Sequence, residues 1–398
     1  MKRPEGSLIS YFSNRVKKEG GINLAQGTPG FPPPGELLQL LKTNAEDKRL
    51  HQYAPGIGNF ELLELIRQRF SSQVIPTGLD NLLIVQGATE GIFLAFFYLT
   101  TFLERPFAAL SFDPVYESYP QLADMFCIPF EYFDFEENLA VDFDKLEKVI
   151  KEKNVKVVFI ASPGNPLGKT WSKNEMSQTI ALSQKYGFYI LFDAVYKDIY
   201  FSQAPFNPLA FNYDKLFYID SFSKMLSITG WRIGYIITEA GHMKKIRAIH
   251  DYVGLCAPSI LQAAVARYLS AFDYGKNYTG IVRNKCKQSF YYMKKELESI
   301  GFKAADSHGG YFLWARLPEI NKKWKDAFEF ALSLYQETRV GVVPGENFSN
   351  SKTDYVRMNI GSELPIIKDA ASRLKKFFNR PIPCSTTLTS QNQKGKRK

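Results

Sequence analysis

Cysteine is scarce in this chain of 398 residues: Cys127, Cys256, Cys286 and Cys384 are the four present, and their spacing matches neither a metal site nor a redox pair. Disulfide scaffolds and clustered-cysteine metal centres are thereby excluded, no metal is expected, and a reducing compartment, the cytoplasm, is the expected location. Long apolar runs are also missing. The longest, Ile92 to Leu103, lies between Glu90 and Glu104 and falls well short of the ~20 residues of a membrane span. It reads as a buried helix, with no membrane partner. At the N-terminus Met1-Lys2-Arg3 soon meets Pro4, Glu5, Asn14 and Arg15, so no secretory apolar region develops. The net charge of +10 owes four charges to Lys394, Lys396, Arg397 and Lys398. A basic tail rich in Ser, Thr and Gln is a solvated segment, and without a nucleic-acid motif no nucleic-acid partner is expected.

What is present is enough for one large domain with a lesser one. Residues 82 to 238 alternate short apolar strands with helices, the pattern of an α/β fold around a mostly parallel sheet. Predicted strands include Leu82–Val85, Ala108–Phe112, Phe126–Phe133, Val155–Ala161, Tyr189–Phe192 and Leu216–Ile219. Beyond Gly301 the strands Gly309–Ala315, Val340–Val343 and Tyr355–Ile360 alternate with helices over Trp324–Thr338 and Ile366–Phe378, predicting a smaller α+β domain. The expected organisation is an N-terminal segment over 1–45 belonging to the small domain, a large domain over 46–285, the small domain over 286–380 and a basic tail over 381–398.

The stretch from Lys215 to Thr238 organises the rest. An apolar run leads into Asp220-Ser221-Phe222-Ser223-Lys224, and Gly230-Trp231-Arg232-Ile233-Gly234 follows. A lysine among hydroxyls, with an arginine eight positions on and glycines beside it, suits a cofactor that is both an aldehyde and a phosphate ester. The amine condenses with the aldehyde, and the hydroxyls and guanidinium hold the phosphate. Lys224 is the candidate carrier of pyridoxal phosphate.

Two other motifs compete. Ser221-Phe222-Ser223-Lys224 matches the Ser-x-x-Lys of penicillin-binding enzymes, but the Lys-Thr-Gly those enzymes need is absent. Gly164-Asn165-Pro166-Leu167-Gly168-Lys169-Thr170 resembles a nucleotide phosphate loop, yet the glycine spacing is one short and Pro163 stands where glycine is required. Ser172-Lys173-Asn174-Glu175 reads instead as a capping box that opens the next helix.

Further candidates sit where strands end. Gly87-Ala88-Thr89-Glu90 opens a helix after a strand, offering free amides, a hydroxyl and the positive dipole end to a phosphate; as a plain connection, Thr89 would be an N-cap. Tyr116 follows a strand and can lie on a cofactor ring. Asp193 ends an apolar strand, where burial is costly unless a cation such as a protonated pyridine nitrogen meets it. Gly27, in Gln26-Gly27-Thr28-Pro29-Gly30, lets backbone approach a ligand. Tyr53 and Arg357 taken alone read as packing and as a surface arginine.

Taken together, Lys224, Arg232, Asp193, Tyr196, Asn165, Tyr116 and Gly87-Ala88-Thr89 resemble, in order and context, the cofactor set of class I/II aminotransferases of fold type I. The resemblance runs from about residue 20 to 378. Gln26 to Pro32, Gln52-Tyr53-Ala54-Pro55, Gly87-Ala88-Thr89-Glu90 and Asp113 to Tyr119 look most like the kynurenine and methionine aminotransferase subgroup. The fold this implies is a mostly parallel central sheet sandwiched by helices, with the small α+β domain beside it.

The resemblance also implies roles. Lys224 would carry pyridoxal phosphate as a Schiff base and shuttle the proton during a ping-pong exchange between an amino acid and a 2-oxo acid. Asp193 would pair with the pyridine nitrogen, and Asn165 and Tyr196 with the phenolic oxygen. Tyr116 would stack on the ring, and Ala88, Thr89, Ser221 and Arg232, assisted by Ser223, would hold the phosphate. Arg357 would grip the substrate carboxylate, with Gly27 and Asn165 beside it. Tyr53 would reach the phosphate of a neighbouring subunit, which implies a homodimer. The same site could run β-elimination as a cysteine-conjugate carbon–sulfur lyase. Leu167 and Ala194 depart from the family pattern, which has a small polar residue and an acid at those positions.

Overall fold

The computed structural model describes residues 3–71, 78–319 and 324–378. The basic tail over 381–398 lies outside them. Along the chain the strands are β1 (Ile22–Asn23), β2 (Leu82–Val85), β3 (Ala108–Asp113), β4 (Phe130–Asp134), β5 (Val155–Ala161), β6 (Tyr189–Asp193), β7 (Leu216–Ser221), β8 (Gly234–Ile237), β9 (Lys303–Ala304), β10 (Phe312–Arg316), β11 (Val340–Gly341), β12 (Val343–Pro344) and β13 (Tyr355–Asn359).

A seven-stranded sheet runs in the order β2-β8-β7-β6-β5-β3-β4. Strands β3 to β7 pair in parallel, and β8 is antiparallel to both neighbours, so β2 points the same way as the parallel set. Strands β2, β3, β6, β7 and β8 are buried along their whole length. Helices cover both faces, which explains why these segments read as continuous apolar runs without alternation. The helix Ala88–Thr100 includes most of the longest apolar stretch and packs it into the core. Among the described residues, no helix is long and apolar enough to cross a membrane.

The second sheet, β12-β13-β10-β9, is antiparallel; helices Lys276–Glu298 and Ala327–Thr338 pack on it, and helix Leu364–Phe378 packs against those two helices. The N-terminal segment is stitched to this part by the parallel pair β1-β11 and by the Asn359 amide donating to the Leu24 carbonyl at 2.7 Å.

Several boundaries differ from expectation. The segment Phe126–Phe133 is a strand only from Phe130, because Ser118–Met125 is helical and Phe126 caps it. Val340–Val343 is two strands in two sheets, the chain changing partners at Val342. Helix Gly35–Asn44, expected with the small domain, buries Leu37 in the large core, because its apolar face meets helix Ser259–Ala271. The expected boundary at 285 falls inside the continuous helix Lys276–Glu298, whose Val282, Cys286 and Phe290 enter the small core.

Candidate active site

Six sheet strands point one way, so their C-terminal ends gather along one edge, the place where an open parallel sheet offers loops to a ligand. The loops after β2, β3, β5, β6 and β7 each deliver a candidate residue, and β8 delivers Arg232 and Gly234 from its opposite end. Gly27, Ala88, Thr89, Tyr116, Asn165, Asp193, Tyr196, Ser221, Ser223, Lys224, Arg232 and Arg357 all line one cavity of about 330 Å³. Tyr53 is absent from its lining and is 83% exposed.

Lys224 sits in the short turn of helix Phe222–Met225, capped by Ser221. Its Nζ donates to the Gly27 carbonyl at 2.7 Å. Burial, then the nearby cations Arg232 and Arg357, pull its pKa from 10.5 down to about 8, against the pull of Asp193. Its neutral, nucleophilic form is therefore accessible near neutral pH. Asp193 ends β6 and is nearly buried; Tyr119 donates to its Oδ2 at 2.7 Å and the Val195 amide to Oδ1 at 3.2 Å. Burial lifts its pKa from 3.8 to about 6 despite these donors, the mark of a carboxylate that lacks a full cationic partner.

Part of the cavity wall is the start of helix Ala88–Thr100, with Ser221, Ser223 and Arg232 beside it. Gly87, at φ 79°, is the N-cap of helix Ala88–Thr100 and makes no side-chain cap bond, which leaves first-turn amides without intrahelical acceptors. Thr89 is inside the helix, so the N-cap reading of that residue does not hold. A Cβ at Gly87 would stand 2.5 Å from the Arg232 Nη2, and one at Gly234 would stand 2.9 Å from the Ala88 nitrogen. These glycines are what let the arginine and the helix start close on one another. Arg232 donates to the carbonyls of Thr229 at 3.1 Å and Gln86 at 3.3 Å. Ser221 Oγ accepts from the Ser223 amide at 3.0 Å and lies 2.7 Å from Ser223 Oγ.

Arg357 is fully buried, its guanidinium between the rings of Phe312 at 4.4 Å and Phe348 at 4.8 Å. It donates to Asn165 Oδ1 at 3.2 Å and to the Ala25 carbonyl, while Nε has no partner among the described residues. Burial lowers its pKa to about 10, so it remains a cation. A buried guanidinium with an unmet N–H fits a carboxylate ligand. Tyr116 and Tyr196 complete the walls. Tyr196 packs edge-on against Tyr311 and Phe312, and burial raises both tyrosine pKa values, leaving them neutral donors.

Sequence reasoning missed Tyr119, Phe312 and Phe348. Tyr119 lies three residues after Tyr116, its amide bonded to the Tyr116 carbonyl at 3.0 Å, and that spacing could have found it; nothing local marks Phe348. Both departures from the family pattern are core residues: Leu167 packs in the small core and Ala194 in the large one. Lys169 of the failed nucleotide loop pairs with Glu175 at 2.7 Å, and the capping box at Ser172 is present.

The model of the aminotransferase class I and II family matches residues 19–374. The chain belongs to that family. An aspartate aminotransferase of Pyrococcus horikoshii is 28% identical over 371 residues, covering 92% of each chain. A "Probable N-acetyl-LL-diaminopimelate aminotransferase" of Bacillus subtilis is 27% identical, over 97% of this chain and 96% of the relative. The solved N-succinyldiaminopimelate aminotransferase of Mycobacterium tuberculosis superposes with a TM-score of 0.84 at 26% identity, over 94% and 97% of the two chains. The fold is that of type I transaminases, and the activity is pyridoxal-phosphate-dependent transamination. These aminotransferase relatives do not favour the lyase alternative.

Proposed function

We propose that Lys224 is the residue that carries pyridoxal phosphate in this transaminase and that the cavity around it is the active site. The observation that carries the reading is the convergence on one cavity of a lysine amine near neutrality, a buried acid and a buried, incompletely paired arginine. The bound cofactor supplies an aldehyde that accepts the amino group and a ring that withdraws electrons from it. Asp193 holds its carboxylate toward the cationic ring nitrogen, held in turn by Tyr119. Arg232, the Ala88 and Thr89 amides, Ser221 and Ser223 bind the phosphate. Asn165 and Tyr196 donate to the phenolic oxygen, and Tyr116 covers the ring. Arg357 orients the substrate carboxylate with Gly27 and Asn165, while Phe312 and Phe348 keep water from its guanidinium. Lys224, once free, moves the proton at the substrate Cα.

The motifs of residues 26–32, 52–55 and 113–119 support a place in the kynurenine and methionine aminotransferase subgroup, in a cytoplasmic enzyme of two lobes whose division runs through helix Lys276–Glu298. A homodimer in which Tyr53 serves the neighbouring phosphate fits the surface: Tyr53, Phe60 at the start of helix Phe60–Arg69, and Tyr252 and Val253 at the end of helix Ala240–Val253 are all more than half exposed. A sedimentation mass of one chain at full activity would contradict that dimer. The functional test is single-turnover exposure of the cofactor-loaded protein to a panel of L-amino acids without oxo acid. One equivalent of 2-oxo acid and of pyridoxamine phosphate is expected, highest for aromatic or thioether donors. Catalytic accumulation of pyruvate and ammonia would contradict it.

A further inference from the structure

Behind the three segments that wall the cavity lies a buried carboxylate unused in the roles above. Asp220 is 1% exposed. Its Oδ1 accepts the Ser221 amide at 2.7 Å, and its Oδ2 accepts both the Lys197 ammonium and the Tyr235 hydroxyl. Each partner is next in sequence to a residue of the site. Ser221 itself lines the cavity, Lys197 follows Tyr196, and Tyr235 follows Gly234, where an added Cβ would stand 2.9 Å from the Ala88 nitrogen. Lys197 also donates to Asp198 Oδ2 at 2.9 Å, and Asp198 Oδ1 accepts from Arg69 at 3.0 Å. The side chains of Lys197, Asp198 and Arg69 line a separate cavity of about 490 Å³ with Ala194 and Met225, the immediate neighbours of Asp193 and Lys224. The same chain segments therefore show one set of side chains to the active site and the other to this charged cluster.

We propose that Asp220, with Lys197 and Tyr235, is a positioning hub that holds the Tyr196 turn, the Ser221 loop and the Arg232–Gly234 segment in mutual register, and so sets the affinity and ring orientation of the cofactor without touching it. The inference rests on the pyridoxal phosphate reading. An ionised carboxylate this deep is tolerated only while all its donors are in place, so the three segments cannot shift independently. Loss of one donor frees one wall.

The test uses Lys197→Met, Lys197→Arg and Tyr235→Phe in the full chain, with pyridoxal phosphate as probe. The cofactor dissociation constant is read from tryptophan quenching, ring orientation from visible circular dichroism at saturation, and fold from the thermal midpoint of the cofactor-free protein. Lys197→Met should weaken cofactor binding about tenfold or more, the worth of a hydrogen bond to a charged group, and alter the visible dichroism. Lys197→Arg should restore both, and Tyr235→Phe should lie between. Should Lys197→Met not fold, Tyr235→Phe decides by the same readouts. A lowered thermal midpoint with unchanged cofactor affinity and unchanged visible dichroism overturns the hub. A wild-type protein that does not bind pyridoxal phosphate overturns the reading beneath it as well.

Discussion

Arg357 shows how a single residue is specialised by its surroundings. Two aromatic faces and full burial strip its guanidinium of water, and the Nε–H of its planar fork has no partner among the described residues. Lysine, a point charge without the fork, cannot reproduce that. Arg357→Lys should raise the amino-acid KM on the order of 10- to 100-fold, the worth of a lost charged hydrogen bond, and leave cofactor affinity nearly unchanged; steady-state kinetics beside cofactor titration checks this. Lys224 has the opposite specialisation, a cation made easy to neutralise. Its pKa is about 8 in the folded chain against 10.5 unfolded, so between those values the unfolded chain holds a proton the folded one has released. Stability from this group thus rises with pH through that window. The neutral amine is also the form that attacks an aldehyde. The rate at which cofactor-free protein captures pyridoxal phosphate should climb up to about pH 8 and level off above it, a profile readable by stopped-flow absorbance.

Among the elements, the start of helix Ala88–Thr100 is where fold and site depend on each other most tightly. Gly87 takes a left-handed φ and meets Arg232 at a distance no Cβ tolerates. Gly87→Ala should therefore weaken cofactor binding at least tenfold and lower stability by about 1–3 kcal/mol through backbone strain, measured by titration and thermal unfolding. That glycine, like Asp193, Lys224 and Asn165, was legible in the sequence because each stands at the junction of an apolar strand and a loop, where a polar or flexible residue has no packing reason to be. Other features were not legible. The break between β11 and β12 needs the knowledge that β1 claims the first half, a pairing across more than 300 residues. Phe348 reads as an ordinary core aromatic until the fold brings it onto Arg357. Helix Ser118–Met125 hid behind Pro120 and a run of mixed residues, and with it Tyr119, whose hydroxyl holds Asp193.

The whole molecule assembles its site from parts far apart in sequence: a loop near residue 27, five strand ends of the large sheet, the start of β8 and a strand of the small one. Arg357 reaches back to Ala25 and across to Asn165, so the small sheet and the N-terminal segment both help to close the cavity over Lys224. Everything in that arrangement presumes that the cofactor is attached at one lysine among the many in a basic chain. Borohydride reduction of the cofactor-loaded protein, followed by peptide mass analysis, measures this directly. The predicted result is a single phosphopyridoxyl adduct on the peptide containing Lys224, absent from Lys224→Ala, which stays folded. An adduct at another lysine in the folded wild-type protein, or none at all, would contradict it.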